Sequence, residues 1–262
     1  MSAIAATARQ APPMRPAPAD QRPSITRLTA IELRKMSDTR AGLWLELGVL
    51  AAMALTVVIT CLAGHAHQRT FQHILGNALL PAAILLPIVG MLLITSEWSQ
   101  RTTLTTFGLV PRRSRVLVAK VLAAAAVSVV PFVFALAISA AAAAVSSSGV
   151  HGVWTVDAVT LVQSLAYLVT NMMIGFAFGA ALLASAPAIV AYFVLPTAIS
   201  ALTSAVGEHS FLSWIDSSTT LQPMTEHALS ATQWGRVATT WAVWLVLPLA
   251  LGVWRVLRSE IK

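Results

Sequence analysis

The chain has 262 residues, 57% of them hydrophobic and 10% charged, with a mean hydropathy of +0.76 and a formal net charge of +7. A soluble domain averages about 25% charged residues, so this composition cannot cover a water-facing surface and places the chain in a bilayer, as one membrane domain. The single cysteine, Cys61, excludes an intrachain disulfide and a Cys-based metal cluster.

Residues 1–23 are rich in Ala, Pro and Arg and contain no apolar run of the kind a cleaved signal peptide needs. Such a segment cannot bury a core and reads as a disordered cytosolic tail. The pattern changes at Ser24, which with Thr26 offers an N-cap. Ile25, Leu28, Ile31 or Glu32, and Met36 recur at helical spacing over residues 24–40, with Arg27, Arg34, Lys35 and Arg40 largely off that stripe. A cationic amphipathic helix ahead of a membrane span is expected to lie in the interface, its basic face toward anionic lipid.

Crossing the hydrocarbon core takes about 20 largely apolar residues. Stretches near 43–62, 74–95, 116–145, 159–185, 187–205 and 237–257 meet this length, predicting six spans, with a tight turn at 184–188 between the fourth and fifth. Pro81, Pro87, Pro131, Pro196 and Pro248 fall inside them, as membrane helices tolerate. Gly175 and Gly179 form a GxxxG pair in the fourth span, where another helix can approach closely. The loop 207–236 is too long to be structureless in a compact domain. Short helices that cap the outer mouth are expected there.

Lysine and arginine set the orientation. Seven precede the first span, five lie between residues 101 and 120, and three follow the last span, whereas the opposite side holds only Arg69 and Arg236. Both termini are therefore expected in the cytosol, and the positive charge needs no nucleic-acid partner. Trp44, Trp98 and Trp254 fall near the inner boundary and Trp154, Trp214 and Trp234 near the outer one, as interfacial belts do.

The chemistry is sparse. No Gly-Lys pair occurs, so the phosphate-binding P-loop is absent, and H-E-x-x-H and G-x-S-x-G are absent too. The chain reads as non-catalytic, with no cofactor and no metal of its own. Charge inside the spans, which would mark an ion or proton path, is nearly confined to Glu46, close to the inner boundary. Deeper polar residues are uncharged: Asn77, Gln163 and Asn171 either hydrogen-bond between helices or line a substrate path. The six histidines fall in expected outer loops at spacings that match no tight ligand motif, and read as polar filler.

The segment 96–115, SEWSQRTTLTTFGLVPRRSR, joins the second and third spans. Topology accounts for its arginines but does not require the polar Glu-Trp-Ser-Gln-Arg-Thr-Thr run. That run, the Pro-Arg-Arg-Ser-Arg after it, Lys120 early in the third helix, the cytosolic helix before the first span, six spans and a structured last outer loop resemble the permease subunits of type 2 ABC exporters. The resemblance covers nearly everything after Ser24 and implies an all-α six-span membrane domain, 24–262, that pairs with a second copy or a paralogue. It implies a separate cytosolic ABC ATPase that holds the ATP and Mg²⁺. Glu97, Arg101, Thr102 and Thr103 match the family's turn motif and Arg112, Arg113 and Arg115 its basic follow-on, which assigns them to ATPase coupling. The expectation is an exporter in a bacterial plasma membrane for an amphipathic or hydrophobic cargo such as a drug, a peptide or a lipid. An antibiotic cargo would make it a resistance protein. The alternative is an immunity or sensing protein that binds an ATPase without moving cargo.

Overall fold

The computed structural model describes residues 24–38, 40–63, 69–99, 113–146, 152–207 and 210–258. Six helices in it are long and apolar enough to cross a membrane: Gly42–Ala63, Phe71–Ser96, Ser114–Ser146, Ala158–Leu182, Ser185–Val206 and Ala231–Arg255. The fold is an all-α membrane architecture, because a chain this apolar satisfies its backbone groups in lipid most simply within helices.

Helix α1 (Ile25–Asp38) precedes the spans and carries a Ser24 Oγ that accepts from the Arg27 N–H. The first span is α2 (Arg40–Ala63) and the second α3 (Phe71–Ser99), which runs unbroken through Pro81 and Pro87. The third divides into α4 (Arg113–Val127) and α5 (Val129–Ser146) at Ser128. Pro131 explains the break: it has no N–H for the Val127 carbonyl, and its ring crowds the preceding turn. The fourth and fifth spans are α6 (Ala158–Leu182) and α7 (Ser185–Val206).

The connection between α6 and α7 is tighter than the expected 184–188. Leu183 closes α6 in the left-handed region, at φ 54°, with its N–H bonded to the Gly179 carbonyl, and α7 starts two residues later. Pro187 thus belongs to the first turn of α7, where a missing N–H costs nothing.

At the far end two short helices, α8 (Leu212–Ile215) and α9 (Ser217–Leu221), and a 3₁₀ turn at Gln222–Thr225 form a cap. The last span starts as α10 (Ala231–Trp241), behind a capping box of Ser230 and Gln233. It widens into a π-helical turn at Ala242–Val246 and ends as α11 (Leu247–Arg258). Pro248 follows the π turn and removes one donor, which the i→i+5 pattern accommodates.

The core is the crossing of α3 and α6. Three glycines make it close, and Gly252 does the same where α11 meets α6: a Cβ on Gly175 would fall 2.2 Å from the Pro87 carbonyl oxygen, and one on Gly90 2.5 Å from that of Met172. On Gly179 it would meet Met91, and on Gly252 of α11 it would lie 2.6 Å from the backbone of Ala180. These backbones touch because no side chain separates them. The GxxxG pair of the fourth span therefore receives the second span. By contrast α7 keeps Val190, Val194, Leu195 and Leu202 exposed, so its apolar face remains for lipid or another helix.

Candidate functional site

Two places gather polar side chains in this otherwise apolar body. The first lies where α1 meets the bundle. Lys120, seven residues into α4, puts Nζ 2.7 Å from Glu32 Oε2, and both side chains are almost fully buried. Lys120 Nζ also donates to the Leu93 carbonyl of α3 at 3.3 Å. The other Glu32 oxygen accepts from Lys35 Nζ at 2.8 Å, from a lysine that keeps about half its surface in solvent. The buried stripe of α1 therefore passes through Leu28 and Glu32, while Ile25 and Ile31 stay exposed. A charged residue takes the inward position because a buried lysine on the neighbouring span needs a carboxylate, and an unpaired charge there is prohibitive.

This clamp ties α1 to the start of the third span and, through Leu93, to the end of the second. Those two ends flank the segment expected to couple to an ATPase. Arg101, Thr102, Thr103 and Arg112 of that segment lie outside the described residues. Glu97 and Arg113 fall within the helical bounds of α3 and α4, with their side chains outside the described set. Arg115 is half-buried on α4. On α1, Arg27 and Arg34 are exposed, Arg34 with its Nε 3.5 Å from Asp38, and Arg40 is exposed at the start of α2. Arg255, at the same end of the bundle, donates to the Ala181 carbonyl in the last turn of α6.

The second place lies under the cap. Between α3, α6, α7 and the cap is a cavity of about 280 Å³ whose walls include Tyr167, Asn171, Tyr192, Phe193, Ser218 and Trp244. No Lys, Arg, Asp or Glu lines it. Leu80 and Gln222 form part of its wall and also border a more polar cavity of about 590 Å³, lined by Thr70, His73, Asn77, Thr155 and Glu226 among others.

The cap is held by hydrogen bonds rather than by apolar burial alone. Trp244 Nε1 donates to the Ile215 carbonyl at 2.6 Å, and the Trp244 ring stacks on Phe178 with centroids 6.2 Å apart. The Thr220 and Thr240 hydroxyls pair at 2.7 Å. Asp216 is buried and caps α9: its Oδ1 accepts from the Ser218 N–H, the Ser218 hydroxyl and, across to α7, the Ser200 hydroxyl at 2.7 Å. Arg236 lies over the Trp214 ring, 5.7 Å from its centroid.

The three deep amides separate into different roles. Asn171, on the wall of the smaller cavity, donates to the Tyr167 carbonyl at 2.9 Å. Asn77 borders the larger cavity and donates to Thr60 Oγ1 at 3.4 Å. Gln163 holds the chain after the cap: with its amide turned to suit its neighbours, the nitrogen donates to the His227 carbonyl at 2.9 Å and the oxygen accepts from the Leu229 N–H at 3.1 Å. Reading the sequence passed over Asp216, and it named Glu32 and Lys120 separately, one as a stripe position and one within the family resemblance, without pairing them. The only signal was the ambiguity of the α1 stripe and a lysine inside an apolar run.

Among the described residues no three His, Cys, Asp or Glu side chains converge as a metal site would require. No protein-family model matches the chain, and no curated protein matches its sequence.

Proposed function

We propose that the chain is the membrane subunit of an ATP-driven exporter, set in a bacterial plasma membrane with both termini in the cytosol and paired with a second copy or a paralogue. The observation that carries this reading is the Glu32–Lys120 clamp. It binds the helix before the first span to the two helix ends that flank the segment 100–112, so a push on either is passed to the other. A cytosolic ABC ATPase docked on this end, holding its own ATP and Mg²⁺, would thereby act on the α3–α6 crossing as a unit. Glu97, Arg101, Thr102, Thr103, Arg112, Arg113 and Arg115 would form its contact surface.

The cavity under the cap supports the choice of cargo. Its walls are uncharged and combine four aromatic rings with aliphatic side chains and a few neutral polar groups, which suits an amphipathic or hydrophobic molecule better than a small ion. Few acidic or basic groups lie along the spans, so an ion gradient has no relay here and the energy has to enter from a partner.

The test is to purify the chain with the ATPase it associates with, in lipid nanodiscs, and compare it with the Glu97→Ala/Arg101→Ala double variant. The expected result is an associated ATPase whose stimulation by the membrane subunit is lost in the variant. Absence of any ATPase, or a variant that behaves as the unaltered protein, would overturn the reading.

A further inference from the structure

We infer that the cavity under the cap selects an organic cation, a ligand with a quaternary or protonated amine on an apolar body. Calling that ligand a cargo rests on the exporter reading; the charge preference rests on the cavity itself.

Four aromatic side chains, Tyr167, Tyr192, Phe193 and Trp244, border this cavity of about 280 Å³. The rings are set at angles to one another: Tyr192 and Phe193 meet edge to face at 5.0 Å, and Phe178, just behind, stacks on Trp244 and meets Tyr192 edge to face at 6.1 Å. Aromatic rings attract a cation that approaches their faces, and four rings at different tilts border this one space.

Part of the polar edge, on the side of Ser218 and Thr197, has the same preference. Ser218 lines the cavity, and its hydroxyl proton is directed to Asp216 Oδ1 at 2.7 Å. Thr197 also lines it, and its hydroxyl donates to the Phe193 carbonyl at 2.6 Å. Trp244 Nε1–H is committed to Ile215. Each of these groups has its proton turned away, so what Ser218 and Thr197 offer the cavity is oxygen lone pairs. One hydroxyl behind Ser218 stands the buried Asp216 carboxylate, and no ion pair joins it to a basic side chain among the described residues.

The wall holds no cationic group for an anion; the donors left on it are the neutral groups of Tyr167, Tyr192, Asn171, Ser217 and Gln222. No lysine or arginine lines it, and the N–H of Ser218, at the start of α9, is taken by Asp216. A neutral body of the same shape would gain the apolar contacts but neither the ring faces nor the carboxylate.

The experiment uses the full chain in nanodiscs without an ATPase, so its outcome is independent of whether an ATPase couples. Three ligands of one shape are titrated: benzyltrimethylammonium, neopentylbenzene, in which carbon replaces the charged nitrogen, and phenylmethanesulfonate. Binding is read from quenching of tryptophan fluorescence, corrected against empty nanodiscs. The cation is expected to bind about tenfold more tightly than its neutral isostere, and the sulfonate not to saturate. Asp216→Asn, which retains a side-chain oxygen to cap α9, is expected to remove most of that preference while leaving the neutral ligand unchanged. Should this substitution disturb the cap and weaken the neutral ligand too, Tyr192→Leu provides the second reading, with a several-fold loss for the cation alone. Equal affinity for all three ligands, no saturable binding of the cation, or a charge preference that survives both substitutions would overturn the inference.

Discussion

Lys120 on the third span and Glu32 on the helix before the first span are 88 residues apart and meet at 2.7 Å, each with no more than about a twentieth of its side chain exposed. Glu32 has a second partner, Lys35, that is 45% exposed. The two lysines should therefore differ sharply. Removing one member of a buried pair costs roughly 3–5 kcal/mol, because the other is left charged and desolvated, while a half-exposed pair contributes about 1 kcal/mol or less. Lys120→Met and Glu32→Leu should each lower thermal stability strongly, Lys35→Met barely, and the Glu32→Leu/Lys120→Met double variant should recover much of the loss. Thermal unfolding in nanodiscs, read as a double-mutant cycle, checks this. Additive losses would mean that the pair is not the clamp.

Glycine positions give a graded prediction. Gly175 has the Pro87 backbone where its Cβ would be, whereas nothing lies within 4 Å of the equivalent point on Gly48 of the first span. The nearest atoms at Gly175 are all Pro87 backbone and none belongs to a flexible side chain, so the helices have to separate. Gly175→Ala should cost at least about 2 kcal/mol by overpacking, and Gly48→Ala should be neutral or slightly stabilising through helix propensity. The same unfolding assay separates them, and equal effects would refute the close crossing.

Trp244→Phe keeps an aromatic ring against Phe178 but removes the donor to the Ile215 carbonyl. A single buried hydrogen bond lost with its acceptor left behind costs about 1–3 kcal/mol. The loss should be local. Amide hydrogen exchange over 212–225 is expected to accelerate while exchange in α3 and α6 stays as it was, and a uniform change across the bundle would contradict a cap-specific tether.

Gln163 and Asn171 should separate in opposite directions. Gln163→Leu leaves the His227 carbonyl and the Leu229 N–H without their partner, and is expected to destabilise the chain by about 1–3 kcal/mol. Asn171 bonds only a carbonyl of its own helix, so Asn171→Leu should change stability by under about 1 kcal/mol. It should instead alter ligand binding in the cavity whose wall it forms. Stability and binding measured on both variants decide it.

Much of the architecture was legible before any coordinates. A bilayer demands about 20 apolar residues per crossing, and that requirement acts on contiguous sequence, so six spans, the helix ahead of them and a structured loop near 207–236 could be read directly. The small residues of Gly175 and Gly179 announced a close approach for the same reason: the pattern is local to one helix. The turn after the fourth span was misplaced by about two residues. Leu183 takes a left-handed conformation that its side chain does not announce, and the fifth span, expected from residue 187, starts already at Ser185, with Pro187 in its first turn.

What hydropathy could not decide was partnership. Glu32 and Ile31 compete for one stripe on α1, and only the arrival of Lys120 from another span makes the carboxylate the inward residue. Asn77, Gln163 and Asn171 look alike as buried amides, yet one borders a polar cavity, one pins the chain beyond the cap and one walls an aromatic pocket. Asp216 looks like a loop residue until Ser200 from the fifth span and Ser218 are found on the same oxygen. Crossing the membrane is determined by solvation of each segment alone, and the sequence by itself determined that much. The clamp, the cap and the charge character of the cavity depend on which distant side chains share a desolvated space, and only the tertiary structure decided those.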